Sequence, residues 1–218
     1  MGLFGRGGSS IRRATGPLAE FYAGHRINRD SPCAEARLLA VDVETTGLKP
    51  GRDTLLSIGW VEVNGGDIPL KTVRHHVFRG TEEVGQSATI HGIMDDARAA
   101  GDELAPVLSE FLQALQGRLL LVHFAPMEHG FLSHQLLRLW GGPLKVATVD
   151  TFAIERRHME RMGTYPRGED LRLPRARQRY GLPWTASHNA AVDAVACAEL
   201  YLAQVAHSRA TTVRPFIL

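Results

Sequence analysis

The stretch Arg37-Leu-Leu-Ala-Val-Asp-Val-Glu44 runs directly into Thr45-Thr46-Gly47. Its aliphatic and β-branched residues predict a strand that ends at this turn. Alternate side chains of a strand share a face, so Asp42 and Glu44 leave the strand on the same side. Two neighbouring carboxylates repel each other and lose hydration, and a bound Mg²⁺ or Mn²⁺ would offset that cost. The alternative is a solvated strand end whose acids pair with arginine.

The pattern on either side of this strand predicts an α/β fold. Strands predicted at 55–63 and 72–78 continue from the first one as an antiparallel three-strand meander. Apolar residues at helical spacing predict a helix over 102–115, and a buried strand follows at 119–123. Further along we expect a helix at 128–140, a strand at 146–149, and helices at 151–158, 173–180 and 189–205. Together these elements predict a mixed five-stranded sheet that is flanked by helices. The sheet would consist of the antiparallel meander and additional parallel strands.

The 218 residues fit one α/β domain with additions at its ends. We expect residues 1–36 to be an N-terminal extension, partly flexible, with a short docking helix near 18–22. The main domain covers residues 37–205, and 206–218 form a short C-terminal tail.

Composition places the chain among ordinary water-soluble proteins, with 44% hydrophobic and 22% charged residues. No apolar run approaches the roughly 18 residues of a membrane span, and the start has no secretory apolar region. We therefore expect a cytoplasmic protein without a membrane partner. Cys33 and Cys197 lie far apart without metal-type spacing, so a disulfide framework is not expected.

Positive charge is concentrated between residues 155 and 179, although the formal net charge of the whole chain is only +2. This stretch holds a run of arginines that clearly outnumber its acids. A basic segment of this kind suits an anionic polymer such as nucleic acid. The alternative is a solvated helix face that binds nothing.

Two further motifs carry acids that could join the first pair. In Ser187-His-Asn-Ala-Ala-Val-Asp193, Asn189 is a plausible helix N-cap, His188 stands at the helix start and Asp193 points inward. A neutral imidazole there can accept a proton from water, although a capping histidine with a surface acid is the alternative. Glu128 follows a buried strand and opens the next helix, a position that also simply suits the helix dipole.

Together these motifs resemble the DnaQ-like exonucleases of the DEDDh type, which have a ribonuclease-H-like fold. Asp42-Val-Glu-Thr-Thr-Gly47 looks like the first family motif, and the step from His188 to Asp193 matches the third. Gln86-Ser-Ala-Thr-Ile-His-Gly-Ile93 and Val149-Asp-Thr151 are similar to further family segments in the same order. The resemblance covers about residues 37 to 205.

The second motif departs from the family pattern of His-Asn-Ala followed, two residues on, by Asp. Here the chain reads His123-Phe-Ala-Pro-Met-Glu128, so Glu128 stands in place of Asp and Phe124 in place of Asn. A carboxylate is still present, but the side chain that carries it is one methylene longer. A second metal ion could therefore sit differently or bind more weakly, and activity could favour Mn²⁺.

The resemblance implies two divalent metal ions, Mg²⁺ or Mn²⁺, and a 3′–5′ exonuclease that acts on single-stranded DNA or RNA. Asp42 would bridge the metals, Glu44 and Asp193 would complete one site, and Glu128 would support the other. His188 would be the general base for the attacking water. The product would be a nucleoside 5′-monophosphate.

Resemblance also suggests which residues contact the substrate. Thr45 and Thr46 would lie at the sugar of the terminal nucleotide. His91 and Ile93 would line the base pocket, although Ile93 could equally be a core residue. Phe124 would stack on a base or pack under the helix, and the arginine-rich stretch would hold upstream phosphates.

Three alternatives stay open at this point. The enzyme could be an exoribonuclease for RNA or short oligonucleotides, or Glu128 could mark a catalytically weak module that binds nucleic-acid ends. Partnership with a polymerase is possible, but the family's proofreading subunits carry a long C-terminal tether. This sequence stops at Leu218, soon after its last predicted helix, and does not support such a tether.

Overall fold

The computed structural model of this protein describes residues 13–80, 98–185 and 188–218. These residues contain a mixed sheet of five strands with the order β3-β2-β1-β4-β5. The strands are β1 Arg37–Thr45, β2 Leu55–Asn64, β3 Arg74–Val77, β4 Leu119–Val122 and β5 Thr148–Asp150. β1 pairs antiparallel with β2 and parallel with β4, β2 pairs antiparallel with β3, and β4 pairs parallel with β5. The predicted fold class is confirmed.

Helices cover the sheet and follow the predicted order. They are α1 Gly16–Gly24, α2 Leu104–Leu115, α3 Ala125–Trp140, α4 Thr151–Arg161, α5 Leu173–Arg179 and α6 Ala190–Ala206. The prediction that α3 begins at Glu128 is wrong by three residues, because Pro126 suits the first helical turn, where its missing N–H is not needed. β3 is shorter than predicted because residues 70–72 form a single 3₁₀ turn.

The two faces of β1 belong to two separate apolar clusters. Leu39 and Val41 pack with residues of α1, α2 and α3, whereas Leu38 and Ala40 pack with residues of α6. This alternation follows from the two-residue period of a strand. Asp42 has the same parity as Leu38 and Ala40, so it lies on the α6 side of the sheet.

Both ends of the described chain are tied to the domain. Leu18 and Phe21 of α1 are fully or almost fully buried in the cluster formed with α2 and α3. At the other end Phe216 is buried, and the N–H of Leu218 donates to the carbonyl oxygen of Thr148 at 2.9 Å. The predicted domain boundaries themselves stay a prediction. Within the described residues, no helix combines the length and the apolar character needed to cross a membrane.

Gly59 sets how closely α6 approaches the sheet. It lies on β2 directly opposite Asp42 of β1. A Cβ at this position would overlap the backbone nitrogen of Ala191 and the carbonyl carbon of Ala190, the first residues of α6. Backbone atoms cannot move aside as a flexible side chain can. The absence of a side chain at Gly59 therefore allows the start of α6 to lie against the strand pair that carries Asp42.

We expect Gly59→Ala to destabilise the protein by about 1 to 3 kcal/mol, because the added methyl group must push the first turn of α6 off the sheet. Urea denaturation measures the change in the free energy of unfolding. Gly66→Ala is the matched control, since a Cβ there meets nothing within 4 Å. Equal stabilities of the two variants would contradict this account of the helix approach.

Candidate active site

Three carboxylates meet at the end of β1 and the start of α6. Asp42, Glu44 and Asp193 each offer an oxygen, and these oxygens lie within 4.8 Å of one another. Asn189 caps α6 by accepting the N–H groups of Ala191 and Val192, as the sequence indicated. Asp193 is 9% exposed, so its interpretation as a surface acid is wrong. The chain thus brings together acids that are about 150 residues apart in sequence.

Glu128 adds a fourth acid from the first turn of α3. Its side chain is 2% exposed, and its Oε2 has no hydrogen-bond partner. It is not one of the three acids whose oxygens lie within 4.8 Å, but its charge raises the pKa of Asp42. A carboxylate in a first helical turn is favoured by the helix dipole. Its unpartnered buried oxygen is still costly unless a ligand binds it.

The four acids are held in conditions that disfavour their charged forms. Burial raises the pKa of Asp42 well above its usual range, and the charges of Glu128, Glu44 and Asp193 raise it further. Burial raises the pKa of Glu44 to about 7, with a further contribution from Asp193. Burial also raises the pKa values of Glu128 and Asp193, although hydrogen bonds from backbone N–H groups oppose part of each shift. A bound cation would relieve this repulsion.

His188 lies next to Asp193 and is exposed to solvent. Its backbone N–H donates to Oδ2 of Asp193 at 2.7 Å, while Oδ1 of Asp193 is buried without a partner. The side chain of His188 is exposed, and its φ of 73° lies in the left-handed region that residues other than glycine rarely adopt. Strained conformations of this kind cluster at functional sites. The imidazole lines the same cleft as Asp42 and Asp193.

The cleft has a volume of about 810 Å³ and extends from the acids along α4 toward the start of α5. Its lining combines carboxylates, aromatic rings and arginines. The lining residues are Asp42, Leu48, His123, Phe124, Phe152, Arg156, Gly168, Arg172, Leu173, Pro174, His188 and Asp193. A cleft with apolar walls and a few convergent polar groups is the usual form of a ligand site.

Phe124 and Phe152 form an aromatic wall of the cleft. Their ring centroids are 5.1 Å apart in an edge-to-face arrangement, and the guanidinium of Arg156 lies 5.3 Å from the Phe152 ring centroid. Phe124 is 42% exposed, so the alternative that it packs under the helix is wrong. Its φ of 89° turns it outward at the start of α3. Arg156 belongs to the arginine-rich stretch, whereas Phe152 had no signal in the sequence beyond its place on a predicted helix.

Asp150 holds the two helices that carry this wall. At the end of β5, its carboxylate accepts the N–H groups of Phe124 and Ala125 at 3.0 and 2.9 Å. It also accepts the N–H groups of Phe152 and Ala153 at 2.9 and 3.4 Å. One buried acid therefore caps both α3 and α4. An Asp between a strand and a helical pattern is a capping signal, but only the fold shows that it caps a second helix.

His123 has a structural role, because its ring is held by hydrogen bonds within the protein. Burial lowers its pKa to about 4, so the ring is neutral at pH 7. Its Nε2 lies 2.9 Å from the carbonyl oxygen of Leu171 and must donate to it, because a carbonyl only accepts. The hydroxyl of Thr151 lies 2.8 Å from Nδ1 and 3.1 Å from the carbonyl oxygen of Val122. These bonds tie the end of β4 to the turn that forms the far side of the cleft.

Thr45 and Thr46 use their hydroxyl groups within the turn after β1. Oγ1 of Thr45 donates to the carbonyl oxygen of Gly47 at 2.7 Å, and Oγ1 of Thr46 accepts the N–H of Thr54 at 2.8 Å. The turn therefore has a defined shape next to the acids. Contact of these threonines with a substrate sugar stays a prediction.

His91 and Ile93 were predicted to line a base pocket. Both belong to residues 81–97, which lie outside the described part of the chain. Their role stays a prediction.

Part of the arginine-rich stretch is structural, which corrects the prediction that it binds phosphates as a whole. Arg177 is 2% exposed and forms an ion pair with Glu199 at 2.7 Å. Arg179 forms an ion pair at 2.7 Å with Glu155, whose side chain is 1% exposed. A buried acid needs such a partner. The arginines that face the cleft come from α4 and from the residue before α5.

The raised pKa of Glu44 predicts how the metal-free protein responds to pH. The folded state holds this proton up to a pKa of about 7, whereas the ordinary value is 4.5. Between these values the folded state binds more protons than the unfolded state, so stability falls as pH rises from about 4.5 to 7. We expect this fall in urea denaturation in EDTA, and a shallower fall for Glu44→Gln. If the free energies of unfolding of wild type and Glu44→Gln changed in parallel with pH, this explanation would be refuted.

Comparison with known proteins identifies the family of this chain. The exonuclease family profile named RNase T matches residues 39–201. The DNA polymerase III subunit epsilon of Treponema pallidum (strain Nichols) is 29% identical over 168 residues, which are 77% of this chain and 76% of that protein. The PolC-type DNA polymerase III of Thermotoga maritima is 27% identical over 177 residues, but this chain spans only 12% of its length.

Solved structures share the fold. The nuclease domain of 3′hExo, a DEDDh family member bound to rAMP, aligns with a TM-score of 0.64 at 13% identity over 81% of this chain and 94% of that chain. Exonuclease X in complex with 5′ overhanging duplex DNA aligns with a TM-score of 0.63 at 20% identity over 82% and 97% of the two chains. The profile match covers most of the sequence, and the chain therefore belongs to the RNase T family of exonucleases and is a DnaQ-like exonuclease of that family.

Proposed function

We propose that this exonuclease hydrolyses single-stranded DNA from its 3′ end, releases nucleoside 5′-monophosphates and uses two divalent cations, Mg²⁺ or Mn²⁺. The observation that carries the proposal is the convergence of Asp42, Glu44 and Asp193 within 4.8 Å at one end of an open cleft. Acids packed so closely, one of them buried and two partly buried, are explained by a cation that they bind together. The printed names of the relatives, a DNA polymerase III subunit and a DNA-bound exonuclease among them, support the substrate class.

The residues fit divalent cations. The donor atoms are all carboxylate oxygens, which Mg²⁺ and Mn²⁺ prefer. Two of these oxygens, Oδ1 of Asp193 and Oε2 of Glu128, are buried without a hydrogen-bond partner. Asp42, Glu44 and Asp193 would hold one ion, and Glu128 together with Asp42 would support the other. When bound, the ions would activate a water molecule and stabilise the leaving oxygen of the phosphodiester.

His188 is the proposed general base. His188 is exposed and lines the cleft together with Asp42 and Asp193, next to the place where the attacking water would lie. The hydrogen bond from its own backbone N–H to Asp193 fixes its place relative to the acids. A base needs this positioning before its basicity matters. The imidazole would accept the proton that the water loses and would release it to solvent.

The cleft wall is suited to bind the last nucleotides of a strand. Phe124 and Phe152 offer aromatic surface to a base, and Arg156 and Arg172 offer positive charge to phosphates. Stacking and phosphate contacts bind single strands without reading their sequence. Thr45 and Thr46 would lie at the terminal sugar, as the family resemblance implies.

The alternative of a weak end-binding module rests on Glu128 in place of Asp. The burial of Glu128 next to Asp42 and its unpartnered oxygen favour a working site, since the longer side chain still reaches the acid cluster electrostatically. We expect Glu128→Gln to weaken cation binding and Glu128→Asp to keep it.

DNA and RNA strands labelled at the 5′ end, compared side by side, separate a deoxyribonuclease from an exoribonuclease. A ladder that shortens from the 3′ end establishes polarity.

We expect His188→Ala to lower the turnover number by about 10² to 10⁴-fold while the protein stays folded, because the exposed imidazole contributes to the reaction and not to the core. The measurement is a time course on a 5′-labelled single strand with Mg²⁺ or Mn²⁺. His158→Ala, an exposed histidine of α4 away from the cleft lining, should behave as wild type. Undiminished hydrolysis by His188→Ala would remove its assignment as the base.

Asp42→Asn should abolish the stabilisation that a divalent cation gives the wild-type protein, since Asp42 is the acid on which the charges of the other three act. A ligand that binds only the folded state raises the melting temperature with its concentration. Titration of Mn²⁺ during thermal denaturation measures this effect. Asp67→Asn changes an exposed acid in the turn after β2 and serves as the control. An Asp42→Asn protein that still responds to Mn²⁺ like wild type would contradict the proposed metal site.

A further inference from the structure

A second, smaller cavity adjoins the catalytic cleft. It has a volume of about 270 Å³ and lies between α5 and the loop that follows it. Pro174 lines both cavities, so the two are adjacent at that residue. We call it the Trp184 groove and define it by Pro174, Arg175, Gln178, Leu182, Trp184 and Thr185.

Trp184 is the most unusual feature of this groove. It is 82% exposed, whereas Trp60 is 2% exposed and Trp140 is partly buried against the apolar core. Among the described residues no aromatic ring or guanidinium stacks on Trp184. A large aromatic side chain left in water forgoes the burial that normally stabilises it. Unlike the exposed Tyr165, Trp184 lines a cavity, where its ring is free to stack on a ligand.

The loop that carries Trp184 is held in place. The guanidinium of Arg177 donates to the carbonyl oxygen of Pro183 at 3.1 Å and to that of Ala196 in α6 at 2.7 Å. The N–H of Leu182 donates to the carbonyl oxygen of Arg177 at 3.2 Å. Since Arg177 is buried, these bonds join the loop firmly to two helices. The backbone directly before Trp184 is therefore anchored to α5 and α6.

The charge beside Trp184 indicates the chemistry of that ligand. Arg175 has a side-chain exposure of 63%, and its ion pair with Asp170 is long, at 3.9 Å. Arg172 continues the positive charge on the side of the catalytic cleft. An exposed aromatic ring beside exposed arginines matches the way proteins bind single strands, where bases stack on rings and phosphates meet cations.

We propose that Trp184 stacks on a base of the substrate strand upstream of the nucleotide being removed, and that Arg175 contacts the adjacent phosphate. The proposal rests on the proposed function in one respect, that the 3′ end of the strand occupies the catalytic cleft. The strand would then pass Pro174 to enter the Trp184 groove. Trp184 thereby makes affinity depend on strand length, because a dinucleotide ends before it reaches the groove.

Binding of a fluorescently labelled (dT)₁₂ in EDTA tests the proposal without hydrolysis. We expect Trp184→Ala to raise the Kd, measured by fluorescence anisotropy, by about tenfold, the order of magnitude of one lost base stack. Trp184→Phe should keep most of the affinity because it keeps a ring. Tyr165→Ala, an aromatic residue that is 87% exposed and lines neither cavity, is the matched control and should bind as wild type.

Two further measurements, tryptophan fluorescence and the salt dependence of Kd, make the test specific to the groove. Saturating (dT)₁₂ should quench the tryptophan emission of the wild-type protein, and this quenching should disappear in Trp184→Phe although binding persists. Arg175→Ala should reduce the slope of log Kd against log salt by about 0.7, the value for one phosphate contact on a single strand. A dinucleotide should produce neither the quenching nor the length-dependent gain in affinity.

The outcomes separate this inference from the proposed function. If Trp184→Ala binds (dT)₁₂ as tightly as wild type, or if saturating (dT)₁₂ leaves the emission of Trp184 unchanged, the inference is wrong and the groove is left for a protein ligand. If (dT)₁₂ binds through Trp184 but no added Mg²⁺ or Mn²⁺ ever leads to its shortening, the inference stands and the proposed function fails.

Discussion

Gly59 has no Cβ, and the first residues of α6 occupy the space where a Cβ would lie. This close contact between a helix start and the middle of a strand pair sets the depth at which α6 meets the sheet. Asp193 is in the first turn of α6, and Asp42 is directly opposite Gly59. The distance between these acids therefore depends on the contact. A site built from remote parts of a chain needs such a rigid reference point.

The acids that this contact brings together are unfavourable for the fold. Burial and mutual repulsion raise their pKa values, two of their oxygens lack partners, and Phe124 and His188 adopt left-handed backbone conformations. Each feature opposes stability, and all of them surround one cleft. Stability given up at a site is commonly the consequence of preparing it for a ligand. The surrounding core, with complete apolar clusters on both faces of the sheet, compensates for it.

A few charged side chains arrange the walls of the cleft. Asp150 caps both α3 and α4, so one acid fixes the helix that carries Glu128 and the helix that carries Arg156. Arg177 joins the loop with Trp184 to α6 in a similar way. Several hydrogen bonds satisfy each of these buried charges. Because hydrogen bonds are directional, they also fix the orientation of the helix or loop that they join. The acid cluster, the aromatic wall and the Trp184 groove are thus parts of one connected frame.

The local sequence pattern was enough to predict much of the fold and part of the candidate site. The two-residue period of β1 placed Asp42 and Glu44 on one face, the cap at Asn189 placed Asp193 in a first helical turn, and the order of strands and helices predicted the sheet. These features depend on neighbours in sequence, so they could be predicted without a structure. The contact over Gly59, the exposure of Phe124 and the burial of Arg177 depend on residues brought together from distant parts of the chain. They could be seen only in the folded protein, because packing across the sheet has no counterpart in local spacing.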